Sequence, residues 1–274
     1  MVAKGVLGEV TNIQTQWNCN PGWIIQPQQP RERNWRLFRE FSGGLTAELV
    51  SHQVDLANWM FGDPPEFVSG VGGLDWKKDG RDIYDNVALI FKYPFGQKLV
   101  STSLSTNKHL PLLSGGRSES GELILGTGGT IEITLGNDEQ PALGLWFIEQ
   151  GPKIGKAQGR EEIAVIAGPT AAHRTGSPDG FPILLEQDQM TGQETFLERE
   201  LKYARRWLYA KGIMVPQEEC HPVRAELESF FDCCRTGRSP KADLEAGLNS
   251  SLAAILANRA MDEGRRVTFS EIES

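Results

Sequence analysis

One short stretch of the chain holds side chains whose types and spacing suit proton transfer. In Gly43-Gly44-Leu45-Thr46-Ala47-Glu48-Leu49-Val50-Ser51-His52-Gln53-Val54-Asp55, the residues Glu48, His52 and Asp55, with Trp59 beyond them, fall at offsets of 0, 4, 7 and 11. At helical periodicity these share one face. An imidazole, whose unperturbed pKa is about 6.5, serves as acid or base near neutrality. Carboxylates one turn to either side are placed to orient the ring and bias its charge. Removing a hydride from an alcohol carbon needs such a group, because the hydroxyl must lose its proton as the C–H bond breaks. The same spacing also fits an ordinary i,i+4 Glu–His pair with a helix-stabilising Asp. A metal site is not indicated, since neither a second His nor a Cys lies nearby.

The elements around that stripe are legible from periodicity. Leu45, Leu49, Leu56 and Met60 form one apolar stripe, and Val50, Val54, Ala57 and Phe61 form another. A helix apolar on most sides is a buried one, and Gly62-Asp63-Pro64-Pro65 ends it. Upstream, Glu9 to Trp17 reads as a strand, Asn18 to Pro30 as a long Pro- and Gln-rich loop, and Arg33, Trp35 and Arg36 stand just before the helix. Downstream, strands are expected over Glu66–Trp76, Asn86–Tyr93, Lys98–Leu104, Glu122–Leu125, Thr130–Thr134 and Leu143–Ile148. Short turns join them, which indicates a mainly antiparallel sheet. Gly126-Thr127-Gly128-Gly129 superficially resembles a phosphate loop, but a strand follows it, so it reads as a hairpin turn. Residues 150 to 190 give no regular pattern. Helices are expected over Glu194–Lys211, Pro222–Arg235 and Asp243–Glu263, the last with Leu244, Leu248, Leu252, Ile255 and Leu256 along one side and Gly264 as its cap. Arg265 to Phe269 is expected to add a final strand.

Composition narrows the partners. A 274-residue chain with 39% hydrophobic and 23% charged residues suits a globular protein with a substantial core. Its net charge of −8, with Lys77-Lys78, Arg205-Arg206 and Arg265-Arg266 as the only basic pairs, argues against nucleic acid as a partner. No apolar run is long enough to cross a bilayer, so no membrane partner is expected. Cys19, Cys220, Cys233 and Cys234 lack metal-ligand spacing and read as structural thiols. Strands Asn86–Tyr93 and Lys98–Leu104 carry apolar residues on both faces, which predicts association of copies through the sheet.

Taken in order, the landmarks resemble the glucose–fructose oxidoreductase, inositol dehydrogenase and MocA family, over nearly the whole chain except residues 150 to 215. They are Gly5-Val6-Leu7-Gly8-Glu9-Val10, Asn34-Trp35-Arg36 before Gly43-Gly44, the Glu48-x-x-x-His52-x-x-Asp55 stripe, Trp59-Met60-Phe61-Gly62-Asp63-Pro64-Pro65, and Asp85-Asn86 ahead of Tyr93-Pro94-Phe95-Gly96. Phe230-Phe231, Thr236-Gly237-Arg238-Ser239-Pro240, Glu245-Ala246-Gly247-Leu248 and Ala257-Asn258-Arg259-Ala260 continue the match.

The resemblance implies an α+β fold: an open, mostly antiparallel sheet with helices on one face, its other face commonly building dimers or tetramers. It implies NAD or NADP as cofactor and a sugar or polyol as substrate. His52 then occupies the family's catalytic histidine position and Glu48 the upstream carboxylate position, often Asp in relatives. Asp55 matches a recurrent acidic position, and Arg33, Trp35 and Arg36 are candidates to line the substrate side or to form a solvated loop. Relatives add a Rossmann domain and, usually, a Lys from a Glu-Lys-Pro motif. Neither a Glu-Lys-Pro nor a strand–turn–helix G-x-G-x-x-G occurs in this sequence.

Residues 1–274 are therefore expected to form one substrate-binding and oligomerising domain, with the dinucleotide-binding domain absent and the cofactor held mainly by it. Alone, this part is expected to be inactive. Two other readings keep the fold: a relative that uses transient oxidation to cleave glycosides, and a non-catalytic sugar-binding or oligomerisation module. A cytoplasmic location is expected, with an exported form left open.

Overall fold

Alternating apolar residues build the sheet, and the computed structural model shows which side of it is covered. The structure describes residues 2–18, 23–107, 110–111, 117–118, 120–134, 143–148, 181–182, 184, 188–210 and 222–272. Its strands are β1 (Val10–Trp17), β2 (Phe67–Gly73), β3 (Asn86–Lys92), β4 (Lys98–Leu104), β5 (Leu110–Pro111), β6 (Arg117–Ser118), β7 (Ser120–Gly126), β8 (Gly129–Thr134), β9 (Leu143–Ile148), β10 (Phe181–Pro182) and β11 (Val267–Thr268). The helices are α1 (Ser51–Phe61), α2 (Phe196–Ala210), α3 (Pro222–Thr236) and α4 (Leu244–Glu263). Nine strands form one open sheet in the order β10-β9-β8-β7-β1-β4-β3-β2-β11, and β5 pairs with β6 apart from it. The fold is α+β and mostly antiparallel, as expected. The exception is the central pair, where β1 and β4 run parallel with Ile13 beside Leu99 and Thr15 beside Ser101. Short turns alone did not reveal this pair, since its connection passes through α1, β2 and β3.

Along β3 the period-2 pattern buries Val87, Leu89 and Phe91 toward α1 and α4 and leaves Ala88 and Ile90 outward. Val68, Leu99, Ile13, Ile124 and Ile131 extend the same buried layer, closed by Leu49, Val50, Val54 and Ala57. Outward, Val71, Ile90 and Val100 remain exposed. Both glycine stops hold: Gly62 (φ 82°) ends α1 and Gly264 (φ 62°) ends α4, each in the left-handed region. Asp243 caps α4 by accepting from the Ala246 N–H at 3.0 Å.

Four expectations need correction. The leucine stripe of α4 reaches the core only at Leu256: Leu244 is 88% exposed, and Leu248 and Ile255 are exposed too. Beside Leu256, the buried residues are Ser250, Ala253, Ala254, Ala257, Ala260 and Met261. Small residues let α4 approach α1 and β2 closely, so hydrophobicity was the wrong guide to its inner side. The strand expected over Glu66–Trp76 stops at Gly73, because Asp85 draws the next turn inward by accepting from the N–H groups of Trp76 (2.8 Å) and Lys77 (2.6 Å). The final strand is only Val267–Thr268. Of the thiols, Cys233 is buried but Cys234 is exposed, while Cys19 and Cys220 lie outside the described residues. Most of 150 to 190 lies outside them as well. Among the described residues no helix is long and apolar enough to cross a membrane.

Candidate active site

The helix that carries the stripe begins with a turn of a different kind. Gly44 (φ 66°) turns the chain, and Thr46–Val50 then forms a π-turn that runs directly into α1. Such wide turns tend to mark functional positions. Asn258 on α4 clamps this start, donating to the Gly43 carbonyl at 2.8 Å and bonding the Thr46 hydroxyl. Gly43 is required by closeness, since a Cβ there would stand 2.6 Å from the Ala47 Cβ. The π-turn was not foreseen: no residue in Thr46-Ala47-Glu48-Leu49-Val50 signals it.

His52 lies exposed on the first turn of α1, its ring 5.5 Å from that of Trp17 and tilted by 43°. Among the described residues its imidazole makes no hydrogen bond. Glu48 and Asp55 are occupied elsewhere. Glu48 accepts from Arg36 Nε at 3.2 Å and from Ser42 Oγ at 3.4 Å, and Asp55 accepts from Ser250 Oγ of α4 at 3.0 Å. The spacing does put Glu48, His52 and Asp55 within one helical segment, but each carboxylate ties the segment to a neighbouring element.

Arg33, Trp35 and Arg36 come together around a hollow of roughly 260 Å³ that Trp23 and Asn34 also line. The Arg36 guanidinium sits 4.3 Å from the Trp35 ring centre and 5.8 Å from that of Trp23, within range of cation–π attraction. Asn34 shapes the loop beneath by accepting from Gln26 N at 2.8 Å and donating to the carbonyls of Gln26 and Pro30, each at 3.2 Å. Arg81 anchors it from below, almost wholly buried, paired with Asp79 at 2.6 Å and donating to the Trp23 carbonyl at 2.8 Å. The Arg81 hydrogen bond holds the Asp79 carboxyl below its ordinary range. Neither Arg81 nor Trp23 stood out in the sequence, because a single buried ion pair leaves no periodic trace.

On the other side of the stripe, Asp55 and Trp59 line a second hollow of roughly 410 Å³, shared with Asp63, Lys241, Asp243 and Glu245. Trp59 is 72% exposed. His52 lines neither hollow: its helix is linked to the basic, aromatic one through the Arg36–Glu48 contact, and Asp55 lines the acidic one. An exposed imidazole can accept a hydroxyl proton from a polar substrate.

The glycine turn between β7 and β8 offers nothing to a phosphate. Its Thr127 and Gly128 N–H groups already donate to the carbonyls of Glu9 (2.9 Å) and Leu7 (2.8 Å). A Cβ at Gly126 would meet the Leu7 carbonyl oxygen at 2.2 Å. The glycines admit the chain's own first segment, and the described residues do not fit the pyrophosphate of a dinucleotide there. Among them no group of three or more His, Cys, Asp and Glu side chains is placed to hold a metal ion.

Comparison with known proteins bears on the same region. The family profile described as the GFO/IDH/MocA C-terminal domain matches residues 1–132. The Bacillus subtilis (strain 168) protein named "Putative oxidoreductase YteT" is 32% identical over 76 residues, which are 28% of this chain and 17% of that protein. The structure of aldose–aldose oxidoreductase from Caulobacter crescentus complexed with glycerol aligns with a TM-score of 0.57 at 17% identity, over 97% of this chain and 58% of that one. Levoglucosan dehydrogenase in complex with NADH and levoglucosan gives 0.61 at 15% identity, over 97% of this chain and 60% of that one. The chain therefore spans about three fifths of the length of these solved structures. At such identities the likeness is one of fold.

Proposed function

We propose that the chain belongs to the GFO/IDH/MocA family of oxidoreductases, whose C-terminal-domain profile matches residues 1–132, and that it forms the substrate-binding half of an NAD(P)-dependent oxidoreductase acting on a sugar or polyol. The observation that carries this reading is the state of His52: exposed, without a hydrogen-bond partner among the described residues, on a helix that Gln53, Val54 and Ala57 seat in the core. His52 takes the proton of the substrate hydroxyl as the carbon beside it is oxidised, and returns it in the reverse direction. Trp17 beneath the ring restricts its swing. Glu48 and Asp55 act as positioning residues, the first holding the Arg36 loop over the start of the helix and the second docking α1 on α4.

Arg33, Trp35 and Arg36 receive the polyhydroxyl substrate. Stacking planes and fixed N–H donors suit a ring with a polar rim and an apolar face. The solved relatives hold glycerol, or NADH with levoglucosan, which supports a polyhydroxyl substrate and a nicotinamide. In this reading the cofactor supplies the hydride acceptor and is held by a dinucleotide-binding unit outside these residues.

The test is an assay of the complete protein with sugars and polyols. Net NAD(P)H formation that the isolated chain does not show supports the proposal. Cleavage of a glycoside without net NAD(P)H, or turnover by this chain alone, contradicts it. We further propose that copies associate through the outward sheet face at Val71, Ile90 and Val100, whose exposed apolar surface supports this. Sedimentation at micromolar concentration should then show a dimer or larger species, and a monomer alone would contradict it.

A further inference from the structure

Directly beneath the site helix, three adjacent strands place polar residues in one row within an otherwise apolar layer. Ser101 of β4 lies beside Thr15 of β1, and Thr15 lies beside Glu122 of β7. Gln53, next to His52 in the chain and 1% exposed, reaches down onto this row. Its Oε1 accepts from Ser101 Oγ at 2.8 Å and from Thr15 Oγ1 at 3.0 Å. Its Nε2, also buried, has no close hydrogen-bond partner and faces the Glu122 carboxyl. A buried amide donor left short of an acceptor is costly, so the geometry favours a state in which Glu122 completes it.

We propose that Gln53 and Glu122 are positioning residues for His52: they set the roll of α1 on the sheet, and with it the stance of the imidazole against Trp17, in a manner that depends on whether Glu122 carries its proton. The connection to the ring is short. Trp17, the residue against which His52 rests, is paired with Ser120, two positions before Glu122 on the same strand. The charged form of Glu122 accepts from the Gln53 amide and draws the helix down, whereas the neutral form accepts more weakly and releases it.

Burial pushes the Glu122 carboxyl up to about 7, with Gln53 and Ser120 opposing, so both forms are populated near neutrality. The groups that face it are Thr15 from β1, Ile133 from β8, Gln53 from α1 and Ser120 on its own strand. None of these is charged. The titratable group next along α1 is His52 itself. The inference rests on His52 as the reacting group only for its functional consequence.

Its test is therefore spectroscopic and independent of turnover. In NMR spectra of the chain between pH 5 and 9, the side-chain amide signals of Gln53 should move in a single step centred near pH 7. Contacts between the His52 and Trp17 rings should change across the same step. In Glu122→Gln, nearly equal in shape, both steps should vanish. Gln53→Leu should remove the pH-dependence of the ring contacts while Glu122 still titrates. A Gln53 amide that ignores pH, a step that persists in Glu122→Gln, or ring contacts alike in wild type and Glu122→Gln at every pH would overturn the proposal. None of these results depends on whether His52→Ala abolishes oxidation in the complete protein, so the two readings fail separately.

Discussion

The hollow around Arg36 and the hollow around Trp59 are built in opposite ways. On the Arg36 side, the short 3-10 helix Arg31–Leu37 and the chain before it are held by largely buried polar contacts: Asn34 bonds the backbone of Gln26, Gln29 and Pro30, Arg81 pairs with Asp79, and two tryptophan rings lie near one guanidinium. On the Trp59 side, regular helices supply the walls, and the polar groups of Asp63, Asp243 and Glu245 stand at their exposed ends. The groups that hold the first hollow in shape, Asn34 and Arg81, are buried and bonded within the fold. The second takes its shape from the helices, and Trp59, Asp243 and Glu245 meet solvent. Shape is held from within on one side and borrowed from the scaffold on the other.

That contrast predicts unequal responses to mutation. Arg81→Ala should have the largest effect, since it removes a buried guanidinium that pairs with half-buried Asp79 and donates to the Trp23 carbonyl. A loss of about 3 kcal/mol is expected, visible as a fall in the thermal midpoint of roughly 10 °C. A loss under about 1 kcal/mol would show that the loop is not held from below.

Glu122→Gln should come next, with the opposite sign. The Glu122 carboxyl sits at about 7 in the fold against 4.5 ordinarily, so the folded chain binds the extra proton between those values. Its stability therefore falls as pH rises through that window, and the cost is fully present above it. The variant should gain on the order of 2 kcal/mol over wild type at pH 8 and almost nothing at pH 4 in denaturant titrations. Trp59→Ala should do least to stability, within about 0.5 kcal/mol, because its side chain is mostly in water. Any effect on substrate affinity in the complete protein would then belong to the hollow itself.

The sequence made the sheet legible where one rule acts alone. Alternation found β3 and β4, glycine found the ends of α1 and α4, and the turn chemistry of Gly126 to Gly129 separated a hairpin from a phosphate loop. It misled where two rules compete. In α4, Leu244, Leu248 and Ile255 outweigh the alanines on any hydrophobicity count, yet close approach to α1 and β2 favours the alanines. Of the site, the helix was legible from spacing, whereas the exposure of its imidazole came only with the fold. What Glu48 and Asp55 touch was not, because Arg36 and Ser250 reach them from 12 residues before and 195 residues after. The π-turn, the Arg81 anchor and the polar row under Gln53 likewise arise from tertiary neighbours and carry no local pattern.

The central claim is that the imidazole on α1 moves the substrate proton, and steady-state kinetics of His52→Ala in the complete protein measure it most directly. The account predicts that kcat falls by a factor on the order of 100 or more while KM stays within a few-fold, with the folded state and Glu122 titration unchanged. A kcat equal to that of the wild type would contradict it.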